Sequence, residues 1–263
     1  MRRILFSASM LFVMASASAF ASGVDPQQLV DRATLAAQDM LNDHDGTDAQ
    51  KLLRRARAVM ICPQVLRAGF IFGGSGGDCV LVARDGGGSW SSPAFFSIGS
   101  GSIGFQAGIQ DAEVMFLIMS DKGLSALMDS QFKIGADAAA TFVQWGGGVE
   151  GATTAALRAD IVAFTRARGL YAGISLSGSI MGSKTDWNQA YYGRALASRQ
   201  IVVQMEAANP AADPLRLVLT RYGTPGAAAQ PVQPPGYAEP TPLTAPGPRG
   251  AVQSQSLPAP GRR

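Results

Sequence analysis

The sequence predicts an α+β domain: a curved antiparallel sheet or partial barrel, with N-terminal amphipathic helices and short flanking helices packed against it. Three observations carry that expectation. Between Ala68 and Trp145, short apolar runs (69–72, 79–83, 94–98, 103–109 and 113–119) alternate with glycine clusters, the pattern of successive strands joined by tight turns. Ahead of them, residues 25–61 show helical periodicity with two helix-start signals. Glycines within strand-like runs favour bends and close backbone approach, hence curvature.

The two ends of the 263-residue chain read differently from its middle. Residues 1–21 begin with Arg2 and Arg3, continue through an apolar run at 4–15 and end Ala19-Phe20-Ala21. That is the pattern of a secretory signal peptide cleaved after Ala21. The alternative is an uncleaved membrane anchor, although the run falls short of the roughly 20 residues a spanning helix needs. No cysteine follows the cleavage site, so a lipoprotein anchor is not expected. The expected location is therefore periplasmic or secreted, with membrane association open to it. Residues 224–263 hold ten of the fifteen prolines and few large apolar side chains, which reads as a disordered tail. Its proline motifs at 231–237 are read as chance matches to ligands of proline-binding modules.

Between these ends lies one domain, residues 22–223. Setting aside Arg2, Arg3, Arg249, Arg262, Arg263 and Glu239 leaves it 17 basic and 18 acidic side chains. The pI near 9.1 thus belongs to the whole chain, and a generally basic nucleic-acid surface is disfavoured. Electrostatic binding has to come from a local patch.

Asp25-Pro26 is a capping acceptor followed by proline at the first helical position, opening a helix to about Leu41. A polar break at 42–46 contains His44, the one histidine, read as a solvent-exposed loop residue. Thr47 and Gln50 form a capping-box pattern for a second helix over 48–61. At 100° per residue Leu52, Leu53, Ala56, Val59 and Met60 share one arc, and Lys51, Arg54, Arg55 and Arg57 fall opposite. No acidic residue occurs between Ala49 and Gly77, and Arg67 adds a fifth positive charge. Such a face is either a solvated helix surface or a surface for an anionic membrane, where each Lys or Arg contributes about 1 kcal/mol.

Pro63 is read as the stop of this helix. Cys62 and Cys79, the only cysteines, are an even pair closing a short loop; in an oxidising compartment they read as a disulfide, the alternative being two buried thiols. Metal binding is not expected, since His44 has no ligand-type spacing to either cysteine. Residues 73–77 and 97–102 are read as turns, and a phosphate-cradling loop at 73–77 is set aside because no lysine follows. Asp121 is read as the cap of a short helix through Met128, and Asp137 as a buried structural acceptor. Residues 146–156 read as flexible, 160–165 and 170–179 as strands with a turn at 166–169 between them. Asp186 is read as capping a helix whose Tyr191 and Tyr192 face the core, and residues 199–203 and 215–222 complete the domain.

Several motifs follow one another as they do in a known family: Cys62-Pro63, AGFIFGG at 68–74, WSSPAFF at 90–96, GFQAG at 104–108, DKGL at 121–124, GADA at 135–138, GLYAG at 169–173, LSG at 176–178 and NQAYYG at 188–193. The chain resembles the SYLF domain, or Ysc84 actin-binding, family over roughly residues 30–222. The resemblance implies binding of phosphoinositides and other anionic lipids through an N-terminal amphipathic helix. Some fungal members also bind and bundle actin, with an SH3 domain beside the SYLF domain. No SH3 region is read here, and an exported protein is not expected to meet actin.

The expected function is accordingly association with anionic phospholipid membranes. Lys51, Arg54, Arg55, Arg57 and Arg67 would contact headgroups, with Leu52, Leu53 and Val59 either inserted or packed on the core. The alternative is a structural or protein-interaction module of the cell envelope, with an envelope protein as partner. No Ser-His-Asp, Cys-His or paired-carboxylate set is evident, so an enzyme is not expected, nor a catalytic residue, metal or cofactor.

Overall fold

The structure, a computed structural model, describes residues 25–42, 47–69, 72–103, 108–128, 132–144, 159–168 and 178–224. The leader, His44, residues 146–156, most of the strand expected at 170–179, and the tail lie outside them. Helix α1 spans Pro26–Asn42 and α2 Thr47–Leu53. Strands β1 (Ala58–Gly69), β2 (Phe72–Ala83), β3 (Ala94–Ile103) and β4 (Gly108–Ile118) follow, then α3 (Asp121–Leu127). After β5 (Phe132–Lys133), β6 (Ala140–Gln144), β7 (Ile161–Arg168) and β8 (Ile180–Ser183) come α4 (Thr185–Tyr192), α5 (Ser198–Val202) and α6 (Asp213–Gly223).

All eight strands form one strongly curled half-barrel in the order β5-β8-β3-β2-β1-β4-β7-β6. The α+β expectation holds, with one departure: the edge pair β6–β7 is parallel while the other pairs are antiparallel.

The sheet is buried on both faces in its middle, and the two-residue side-chain period divides it into two cores. Val59, Ile61, Val80, Val82, Phe95, Met115, Leu117 and Phe164 face α1, α2 and α6. Met60, Cys62, Leu81, Phe96, Val114, Phe116 and Ile118 face the other way, toward Leu127, Phe132, Ile201 and Val202. Helix α1 can lie close to the sheet because Ala33, Ala36 and Ala37 form its buried stripe between Leu29 and Met40.

This double burial overturns the helix expected over 48–61. Helix α2 ends at Leu53, residues 54–57 form a turn, and Ala58 opens the central strand β1. A strand covered on both sides is apolar without alternation, so Ala58-Val-Met-Ile61 extended the helical arc by coincidence. Pro63 stops no helix; it sits at a β-bulge, where the pairing of β1 with β2 and β4 shifts register. A residue without an N–H is tolerated there because the ladder is already interrupted.

The turns expected at 73–77 and 97–102 are also corrected: both runs lie inside strands, paired to each other from Gly73↔Ser102 to Gly77↔Ile98. The bulge explains one of these glycines. A Cβ on Gly77 would collide with the Gln64 carbonyl oxygen and crowd Val65 at 3.2 Å. Cys62 and Cys79 lie on β1 and β2 beside the same bulge, 4.1 Å apart at Cα, and are disulfide-bonded. The turn expected at 166–169 is strand as far as Arg168.

Three caps differ in detail. Ser120, and not Asp121, is the N-cap of α3: its Oγ accepts from the Gly123 N–H and donates to Asp160. Lys184 takes the N-cap position of α4, with Asp186 inside the first turn. Asp137 accepts from the Lys133 N–H as expected, but it is exposed. Tyr191 and Tyr192 do pack inward, the former against Phe95, on opposite cores.

Candidate functional site

The predicted basic residues divide into two places. Lys51, Arg54, Arg55 and Arg57 are exposed within seven residues at the α2–β1 junction. The backbone there is held firmly. Arg55 and Ala56 donate to the Leu52 and Leu53 carbonyls, tightening the helix end, and the Arg57 N–H donates to Ile118 of β4 at 2.8 Å. Lys51 pairs with Asp48 at 3.0 Å and Arg57 with Asp121 at 3.4 Å. Both pairs are exposed, so neither is worth more than about 1 kcal/mol. Arg54 and Arg55 have no acidic partner among the described residues.

Arg67 is elsewhere. It lies near the far end of β1, ten residues beyond Arg57, which at 3.3 Å per extended residue is about 30 Å. The single five-charge face therefore does not form. Of the apolar candidates, Leu53 and Val59 are completely buried in the core under α1 and α6. They are packed and not available for insertion; Leu52 is partly exposed and packs at the edge of that core.

Beside this turn is a cleft of about 670 Å³, lined by Arg54, Arg84, Ser89, Trp90, Arg216 and Leu217 among others. Arg84 follows β2 and is one of the half-buried side chains lining the cleft. Its Nη1 donates to the Arg54 carbonyl at 3.0 Å, and its Nη2 to the Leu53 and Gly223 carbonyls at 3.2 and 3.4 Å. It thus satisfies the last carbonyls of α2 and α6, where helix ends carry partial negative charge.

The guanidinium also lies 4.4 Å from the centre of the buried Trp90 ring. Burial pulls the Arg84 pKa below its ordinary value, but arginine remains protonated. Gly223 is needed for this arrangement: a Cβ there would stand 2.5 Å from Arg84 Nη2.

Arg216, also in the lining, donates from Nε to the Trp90 carbonyl at 2.8 Å and pairs through Nη1 with Asp213 at 3.0 Å. The cleft therefore carries three guanidinium groups against one carboxylate. Sequence reasoning did not find Arg84, Trp90 or Arg216. The triple glycine at 86–88 followed by Trp90 marks a turn with a buried aromatic, but nothing in spacing ties Arg84 to two helix ends far away in the chain.

Among the described residues no group of three His, Cys, Asp or Glu side chains is placed to hold a metal, and no helix is long and apolar enough to cross a membrane.

A family profile described as "Ysc84: Las17-binding protein actin regulator" matches residues 99–222. Protein YSC84 of Saccharomyces cerevisiae is 29% identical over 171 residues, covering 64% of this chain and 36% of the relative. An SH3 domain-containing protein of Schizosaccharomyces pombe is 28% identical over 205 residues, 75% of this chain and 44% of its own length. The human SH3 domain-containing YSC84-like protein 1 is 28% identical over 154 residues, 57% of this chain and 44% of its own. The chain thus spans less than half the length of each of these relatives. No solved structure matches. With the motif order of residues 62–193, the profile match assigns residues 99–222 to the SYLF, or Ysc84, family.

Proposed function

We propose that this chain is an exported, non-catalytic protein that associates with anionic phospholipid membranes through the basic α2–β1 turn. The observation that carries the reading is that turn: four exposed cationic side chains within seven residues, two of them without an acidic partner among the described residues, on a backbone fixed to the sheet. Capture is electrostatic. Each cation brought near anionic headgroups contributes about 1 kcal/mol, within a Debye length of roughly 8 Å at physiological salt. Leu52 at the turn, and Leu217 at 53% exposure on the adjoining α6, are the apolar side chains positioned to follow the charges into the interface.

The test is co-sedimentation of residues 22–263 with neutral and anionic vesicles across a salt series. Binding to anionic vesicles alone, weakening as salt rises, is the expected result. Equal binding to neutral vesicles, or none to either, refutes the reading.

The profile's description, which includes Las17 binding and actin regulation, and a yeast relative named LAS seventeen-binding protein 3 favour a second reading, a protein-interaction module. For an exported chain the partner would be an envelope protein and not actin. That reading requires an interaction with no lipid dependence; its loss on truncation at Thr224 would place the contact in the tail.

A further inference from the structure

The cleft lined by Arg54, Arg84, Trp90 and Arg216 does more than add to a basic surface. We propose that it is a binding site for a single phosphate group on a small polar body, either the phosphate of an anionic lipid headgroup or a free phosphate ester. The lipid source rests on the reading above; the site itself stands on separate observations.

The first is charge. Three guanidinium groups face one carboxylate, Asp213, and that carboxylate engages only Nη1 of Arg216, whose Nη2 has no hydrogen-bond partner among the described residues. Arginine forks match the oxygen geometry of phosphate. The helix-end carbonyls offset some of the Arg84 charge, so Arg54 and Arg216 supply most of the attraction while Arg84 is a donor held by three carbonyls.

The second observation is independent of charge. Trp90 is 2% exposed and its indole Nε1 is buried without an acceptor among the described residues; Arg84 Nε is in the same condition. A buried N–H left unpaired costs about 1–3 kcal/mol. Two such donors on side chains lining one cationic cleft point to a ligand rich in acceptors.

The third is size and rim. A volume of about 670 Å³ is within the usual range for small-ligand sites and larger than a bare phosphate requires. The exposed Ser89 and the half-exposed Leu217 offer the organic moiety of the ester a polar neighbour and an apolar one.

The experiment follows the indole N–H resonances of the three tryptophans in the nitrogen-15-labelled full chain, with Trp90 assigned by Trp90→Phe. The probes are inorganic phosphate and glycerol 1-phosphate, titrated separately. The Trp90 resonance is expected to move downfield and saturate, and Arg54→Ala or Arg216→Gln to weaken the response by about tenfold. Arg216 also anchors the Trp90 carbonyl, so Arg54→Ala, whose exposed side chain has no partner among the described residues, keeps the test valid if Arg216→Gln fails to fold.

Co-sedimentation of the same variants with phosphatidylglycerol-containing vesicles separates the two sources. A Trp90 shift together with weakened vesicle binding by Arg216→Gln assigns the site to a lipid headgroup. A shift with vesicle binding unchanged by Arg216→Gln, or absent altogether, supports the site with a free phosphate ester as ligand. No Trp90 shift with either soluble probe overturns the site, and anionic-vesicle binding that persists then belongs to the exposed turn alone.

Discussion

Reversing two charges on the α2–β1 turn tests the proposed membrane capture separately from folding. In Arg54→Glu/Arg55→Glu both side chains are exposed, and every hydrogen bond that holds the turn uses backbone atoms the variant keeps. The Arg54 N–H still donates to Gln50, the Arg55 N–H to Leu52, and Arg84 Nη1 still reaches the Arg54 carbonyl. Stability is therefore expected to stay within about 0.5 kcal/mol, as for other surface substitutions. The local charge, by contrast, changes by four. At about 1 kcal/mol per charge near anionic headgroups this amounts to about 4 kcal/mol, or roughly a thousandfold in vesicle partitioning at low salt.

Co-sedimentation reads the partitioning and thermal denaturation reads the fold. Arg67→Ala is the control, because it lies about 30 Å away along β1 and should leave partitioning nearly unchanged if the turn alone docks. Partitioning of the double variant within about threefold of the original chain, at unchanged melting temperature, refutes the mechanism. An equal loss from Arg67→Ala refutes its localisation to the turn.

Four further outcomes test the fold beneath the site. Reducing the Cys62–Cys79 bond, or replacing both residues by alanine, should lower stability by about 3 kcal/mol, seen as an earlier denaturation midpoint with reductant. Gly77→Ala should destabilise by about 1–3 kcal/mol or more in chemical denaturation, because its Cβ meets backbone of the β1 bulge and not a side chain that can move. Asp160 joins the starts of α3, β6 and β7. The Ser120 hydroxyl, then the Ala139 N–H and Lys122, outweigh desolvation and hold its carboxyl below the ordinary range. A depressed carboxylate stabilises the fold above its unfolded pKa of about 3.9 and loses that contribution as pH falls through the lower folded value. Urea midpoints measured on the acid limb should therefore be less pH-dependent in Asp160→Asn, and Ser120→Ala should cost about 1 kcal/mol at neutral pH through loss of the cap.

The legible elements of this fold were those with local causes. Asp25-Pro26 set the start of α1 because capping and the fixed proline φ act within one turn. The disulfide was legible because the two cysteines are an even pair closing a short loop, 17 residues apart. The start of β1 was not. Leu52, Leu53, Ala56, Val59 and Met60 fit a helical arc, and only the cover supplied to both sheet faces by remote elements makes Ala58–Ile61 a strand. The glycine runs at 73–77 and 97–102 failed for a related reason: they pair with one another inside the sheet, and the need for one of them, Gly77, comes from a bulge on the neighbouring strand. At the site, the charge run named the turn residues correctly as exposed. Arg84 could not be found, because its partners, Leu53, Arg54 and Gly223, lie 30 to 139 residues away.

If the proposed membrane association holds, burial of Leu53 and Val59 limits the form it can take. Exposing either would open the core beneath α1 and α6, at about 2–5 kcal/mol by analogy with losing a large core side chain. Inserting one side chain into the interface returns only about 1.5–3 kcal/mol. Insertion of these two is therefore uphill, and the apolar share of binding falls to Leu52 and Leu217, which sit at the surface without any rearrangement. Arg84 adds to that cost: its hydrogen bonds to the carbonyls ending α2 and α6 would have to break before the helix could extend into a bilayer. An attachment built this way is dominated by charge, reversible, and released by salt, in contrast to an amphipathic helix that buries a full apolar face.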